Sequence, residues 1–200
     1  MRVLFVTSEV ATVFKLGGLA DVSYALPVAL ARKKVQVAVA LPYYRAIKLA
    51  KATCLGVLAV SFAGQRELVF VFLSHLGEGN VPLLLFRHPK LDDYSKKEMA
   101  DTFAFFSQAV ATFYLQGWHL VGKPYDIVHC QDWHTALVPL LLHETRKGTY
   151  VTQKESIQSQ QTKSILTIHN LLYQGVMKAE VVKKLGLPEG SVRILHRTDG

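Results

Sequence analysis

Two stretches near the amino-terminus are apolar, residues 3–6 without a break and residues 35–41 with Gln36 as the one polar position. A strand with one wet face alternates apolar and polar side chains, so unbroken runs belong to strands covered on both faces, as in parallel sheets flanked by helices. Residues 19–32, between the two runs, carry apolar side chains at helical spacing, and Pro42 closes the second run. Strand, helix and strand in this order predict a βαβ unit with a right-handed crossover.

The pattern changes over residues 57–86. Shorter extended runs at 57–62, 68–73 and 81–86 are separated by Ala63-Gly64-Gln65 and Gly77-Glu78-Gly79-Asn80, a spacing that predicts a small hairpin meander. Residues 97–118 read as one long amphipathic helix with Phe103, Phe106, Val110, Phe113 and Tyr114 on one face. A strand at 127–130, a helix at 135–146 and a strand at 164–168 follow, with a polar surface loop rich in Gln, Ser and Thr expected at 148–163. The expected fold is α/β, a Rossmann-like doubly wound and mostly parallel sheet in one domain. At 200 residues, half of them hydrophobic, the chain can bury about 70% of its unfolded surface without a metal or disulfide staple.

The two cysteines, Cys54 and Cys130, are far apart and lack CxxC spacing, so they are expected as buried thiols in a reducing compartment. The apolar run at the amino-terminus is too short for the core of a signal peptide, and no run approaches the ~18 residues of a membrane span. A cytoplasmic protein is expected, with no membrane partner. The net charge of +8 favours anionic ligands in general terms. Its basic pairs are scattered over expected helix ends and polar faces, without the Arg-rich stripe and interleaved aromatics that would point to nucleic acid.

In a doubly wound sheet, ligands bind beyond the carboxyl ends of the strands. Three polar clusters fall there: residues 8–21, 131–134 and 169–175. In the first, KLGGLADV (15–22) follows a strand and opens a helix. Adjacent glycines lose much backbone freedom on folding, so Gly17 and Gly18 mark either a tight turn or a close approach to a ligand. In the second case the helix start is an anion site, with Lys15 neutralising the charge. The segment is neither GxxxxGK[ST] nor GxGxxG, and the missing dinucleotide fingerprint argues against a nicotinamide-dependent dehydrogenase.

The second cluster lies within HCQDWHTAL (129–137). Asp132 either caps the following helix, with Trp133 packed and His134 on the surface, or faces a polar ligand together with the imidazoles. No metal is expected: a strand sends His129 and Cys130 to opposite faces, and no distant Cys or His pair completes a tetrahedron with Asp132 and His134. In TIHNLLYQG (167–175), His169 and Asn170 end an apolar strand. Buried there, they need hydrogen-bond partners, and so they either pin a loop or meet a ligand.

The order SEV…K-x-GGLADV, HCQDWHTAL, TIHNLLYQG closely resembles the bacterial glycogen synthases and plant starch synthases, which are ADP-glucose-using glycosyltransferases of the GT-B architecture. The likeness runs from Met1 to about Pro188. It implies that residues 1–200 are the amino-terminal Rossmann-like domain, that the second GT-B domain is missing from these residues, and that the sequence is a truncation of a longer synthase, inactive alone. It further implies glucose transfer with retention from ADP-glucose to the non-reducing end of an α-1,4-glucan, without a cofactor.

By the same resemblance, Lys15 contacts the donor's phosphates and Gly17 and Gly18 offer it their backbone. Glu9, Asp21 and Tyr94 match acceptor-side positions, and Asp132, His169 and Asn170 match polar positions around the transferred glucose. Lys15, Asp132, His169 and Asn170 are the implied catalytic set. The family has a longer Gly- and Asn-containing loop and an Arg before the FAFF run; here the segment reads DDYSKKEMADTFAFF, with Thr102 in the Arg position. The alternative reading is a non-catalytic sugar- or nucleotide-binding Rossmann domain.

Overall fold

The computed structural model describes residues 1–77, 80–94, 99–146, 163–176, 178–188 and 190–191. Its centre is β1 (Arg2–Val6), which pairs in parallel with β2 (Gln36–Pro42) on one side and β6 (Ile127–Gln131) on the other. The first crossover is α1 (Leu19–Arg32), as the spacing predicts.

The next three strands, β3 (Thr53–Phe62), β4 (Gln65–Leu76) and β5 (Val81–Arg87), form the expected antiparallel meander. It is not a separate unit: β5 also pairs in parallel with β2, so the meander extends the main sheet. The last strand is β7 (Lys163–Thr167), parallel to β6. The sheet has seven strands in the order β3-β4-β5-β2-β1-β6-β7. The expected loop at 148–163 lies outside the described residues except for Lys163, which begins β7.

The continuous apolar run of β1 is explained by its two-sided burial. Val3 and Phe5 join a core with Val28 of α1, Val39 and Leu83. Leu4 and Val6 point the opposite way into a second core with Ala38, Leu84, Val128 and the aromatic face of α2 (Met99–Thr112). Every residue of α2 from Thr102 to Thr112 is buried, because β3 and α3 (Leu137–Arg146) pack against it as well as the sheet. Of the single helix predicted over 97–118, residues 97–98 lie outside the described residues, and the α-helix ends at Thr112 rather than continuing to 118. It passes into a π-helical turn at Phe113–Gly117 and a 3-10 turn at Trp118–Val121, which keeps Phe113, Tyr114 and Leu115 in the core.

Cys130 is buried, but Cys54 lies exposed on β3, contrary to expectation, because the edge strand of the sheet leaves that position uncovered. A short α4 (Ala179–Lys183) returns to α2, where Lys184 holds Asp101 through both carboxylate oxygens at 2.8 and 2.6 Å. No helix among the described residues is long and apolar enough to cross a membrane.

Phe106 is fully buried and meets Phe86 edge-on at 5.7 Å between ring centroids. Truncating such a ring removes its burial and leaves a cavity, so Phe106→Ala is expected to cost about 3–5 kcal/mol. Urea unfolding followed by far-ultraviolet circular dichroism measures the loss, and a change below about 1 kcal/mol would contradict this packing.

Candidate active site

Because β1, β6 and β7 are parallel neighbours, the loops leaving their carboxyl ends start one strand spacing apart, roughly 4.8 Å. Direct contacts then tie the loops together. The Asp132 amide donates to the Thr167 carbonyl at 2.8 Å, and His169 Nε2 and Gln131 Oε1 are 2.9 Å apart. His129 Nε2 meets Thr167 Oγ1 at 2.8 Å, and Tyr44, just past the end of β2, donates its hydroxyl to the Ser8 carbonyl at 3.0 Å. The three polar clusters of the sequence thus share one rim.

The loop after β1 is held by Glu9. This carboxylate is 5% exposed, and its Oε2 accepts hydrogen bonds from the amides of both Leu16 and Gly17 at 2.8 Å. A small turn between Val10 and Phe14, with Thr12 at a φ of 72°, folds the chain back toward α1. Gly18 then occupies the N-cap of α1 without a side-chain cap. A Cβ built on Gly17 or Gly18 meets nothing within 4 Å, so the main chain here borders open space. Lys15 reaches across to Asp21 and binds both of its oxygens, at 2.6 and 2.8 Å, with both side chains about half exposed.

After β6 the chain takes a costly path. Asp132 has φ 59° and ψ −178°, a combination that non-glycine residues adopt at a cost of about 1–3 kcal/mol and that clusters at functional sites. Its amide bond to β7 fixes it there, and its carboxylate accepts the Trp133 amide at 3.0 Å, capping the 3-10 turn Trp133–Thr135 ahead of α3. The capping reading of Asp132 holds locally, and the same turn sets the residue at the rim.

His134 departs from the surface position that the capping reading gives it. It is 7% exposed, stacked on Trp133 at 4.2 Å and edge-on to Phe103 at 4.6 Å. Its Nε2 lies 2.8 Å from the Tyr94 hydroxyl. Tyr94 in turn packs against Phe14, Tyr44 and Phe103, so an aromatic floor joins the loops after β1, β2, β5 and β6. Burial, with the Glu9 and Asp132 carboxylates nearby, pushes the Tyr94 hydroxyl up to about 12. The imidazole, buried and without a counter-charge, is pulled down to about 4.

His169 and Asn170 are exposed on the rim rather than buried. Each also serves its loop: His169 holds Gln131, and Asn170 Oδ1 accepts the Leu172 amide at 2.9 Å. The sequence reading overlooked Phe14, Tyr44 and the contact between Trp133 and Gly175. At Gly175, φ is 65° and a Cβ would lie 2.4 Å from the indole, so only glycine fits. The signal available for Tyr44 was the Tyr-Tyr pair that follows Pro42, the last residue of β2.

Comparison with known proteins bears on this rim. Residues 2–198 match the family model described as "Starch synthase catalytic domain". A protein named glycogen synthase from Moorella thermoacetica is 36% identical over 194 residues, covering 94% of this chain and 37% of its own length. Another from Bacillus subtilis is 37% identical over 197 residues, 92% of this chain and 37% of that protein. The solved catalytic domain of starch synthase IV from Arabidopsis thaliana, bound to ADP and acarbose, superimposes with a TM-score of 0.82 at 29% identity. That match covers 99% of this chain and 39% of the other. The chain therefore spans little more than a third of the length of these proteins.

The His134 ring gives a pH signature. A base whose folded pKa is lowered contributes fully above its unfolded value of 6.5, and that contribution is lost as pH falls toward 4. Wild-type stability should fall across this window by about 1.4 kcal/mol per pH unit more than that of His134→Gln, read from urea titrations at each pH. Equal slopes would mean that the ring is not held neutral by burial.

Proposed function

This chain belongs to the starch synthase catalytic domain family, and from that premise we propose that it forms the acceptor-side half of a cytoplasmic glycogen or starch synthase. In this reading, glucose passes from ADP-glucose to the non-reducing end of an α-1,4-glucan with retention of configuration. The observation that carries the proposal is the shared rim: a cation and a bare helix start on one side, and carboxylates with aromatic and imidazole groups on the other.

Glycosyl transfer of this kind develops negative charge on the departing diphosphate, and preorganised donors aimed at such charge are commonly the largest catalytic term. The start of α1 supplies the positive end of a helix dipole, and the absence of a Cβ at Gly17 and Gly18 lets an anion approach the main chain. The Gly17 amide is already held by Glu9, so the anion contact passes to Gly18 and the first turn of α1. Lys15 turns from Asp21 to the diphosphate. An exposed ion pair is worth only about 0–1 kcal/mol, so a dianionic group readily displaces it.

Asp132, His169 and Asn170 then surround the glucosyl unit, while Glu9, Asp21 and Tyr94 border the acceptor. The proteins that this chain resembles are more than twice its length. We assign the remaining donor contacts, including those that read the base, to a second Rossmann domain outside these 200 residues.

Full-length protein is expected to transfer glucose from ADP-glucose to glycogen, and Lys15→Ala to lower kcat by roughly 100-fold or more, the cost of losing one charge contact to the leaving group. An intact wild type with no transfer would leave a non-catalytic sugar- or nucleotide-binding domain as the reading. Calorimetry of residues 1–200 with ADP should give binding weaker than micromolar; micromolar binding would contradict the division of donor contacts.

A further inference from the structure

His134 is buried beneath the rim. Of its two ring nitrogens, Nε2 meets the Tyr94 hydroxyl and Nδ1 is buried with no partner. A neutral imidazole carries one proton, and the two tautomers have different consequences here. With the proton on Nδ1, a buried N–H would have no acceptor. With the proton on Nε2, only a lone pair is left unused at Nδ1, and orphaned N–H groups are the rarer of the two in folded proteins. The second arrangement makes Tyr94 the acceptor, so its own O–H is free to donate elsewhere.

The Tyr94 oxygen has further neighbours on the rim. Its ring is boxed by Phe14, Tyr44 and Phe103, so the hydroxyl cannot swing away. The groups that act on it are the Ser8 side chain and two carboxylates, Glu9 from the loop after β1 and Asp132 from the loop after β6. Glu9 Oε2 is already engaged with the Leu16 and Gly17 amides. His134 and Asp132 are also two residues apart on one capped turn, so a bond that holds the ring holds the strained Asp132 backbone as well.

We propose that His134 is a positioning residue for transfer: its Nε2–H donates to the Tyr94 oxygen and holds that hydroxyl at the rim, where it meets a hydroxyl group of the acceptor sugar. The inference rests on the transferase reading for the identity of that sugar; the tautomer and its bond to Tyr94 do not. It gives the imidazole a use as a fixed neutral donor rather than as an acid or base. Tyr94 then contacts the acceptor sugar in addition to packing beneath the rim.

Two measurements on the full-length protein test it. Ring 15N–1H NMR of histidine-labelled wild type, with the His134 signals assigned by their loss in His134→Gln, should show Nε2 protonated and Nδ1 bare. In glucose-transfer assays, Tyr94→Phe and His134→Ala should each lower kcat/KM for the glucan about tenfold while leaving KM for ADP-glucose within twofold. The double variant should be no worse than Tyr94→Phe alone, since the two residues act through one bond. His134→Gln, whose amide can donate to Tyr94, should recover most of the loss. A proton on Nδ1, losses that multiply, or a Gln variant as poor as the Ala variant would overturn the inference. A wild type that transfers no glucose would instead overturn the reading on which its acceptor rests.

Discussion

The parallel ladder through β1 is the constraint on which the rest of the molecule depends. With β2 on one side and β6 on the other, and cores on both faces, β1 has no freedom of register: a shift by one residue would exchange Leu4 and Val6 for Val3 and Phe5 between two differently shaped cores. That fixed register determines where the chain leaves the sheet, and so where Ser8 and Glu9 stand relative to Gln131 and Asp132. Thr7 continues the constraint one residue further, donating its amide to Ala40 and bonding Ser23 of α1 through its hydroxyl.

Beyond the sheet, the rim is held by polar contacts that each join two loops. Glu9 is the clearest case, since one buried carboxylate oxygen organises the turn that presents Lys15 and the two glycines. Hydrogen bonds to a charged group of this kind are worth about 1.5–3 kcal/mol, enough to choose one loop conformation over its competitors. Asp132 shows the opposite side of the same economy, a strained backbone kept in place by its amide bond to β7. A rigid sheet edge with one open helix start and one strained carboxylate is an arrangement suited to binding a charged, polyhydroxylated ligand.

Much of this was legible in the sequence, for physical reasons. Mostly apolar runs specify strands buried on both faces, so β1, β2 and β6 could be placed within a residue or two. Turn residues at 63–65 and 77–80 marked the meander, although nothing local could say that β5 would also pair with β2, a contact between residues more than forty apart. The helix over 97–118 was read too long because an apolar face continues through Phe113–Gly117 while the backbone there widens into a π turn. The motif residues were found, but their partners were not. That His134 is buried, that Cys54 is exposed, and that His169 and Asn170 stand exposed while bonding their own loop all depend on which neighbours tertiary structure supplies.

The central claim is that the activated sugar's diphosphate rests against the start of α1, opposite Asp132. The most direct measurement is a crystal structure of the full-length protein with ADP-glucose. The account predicts the diphosphate within contact distance of Gly18, with Lys15 Nζ turned from Asp21 onto a phosphate oxygen and the glucosyl ring facing Asp132 and His169. A diphosphate bound away from this helix start, with the Lys15–Asp21 pair intact, would contradict it.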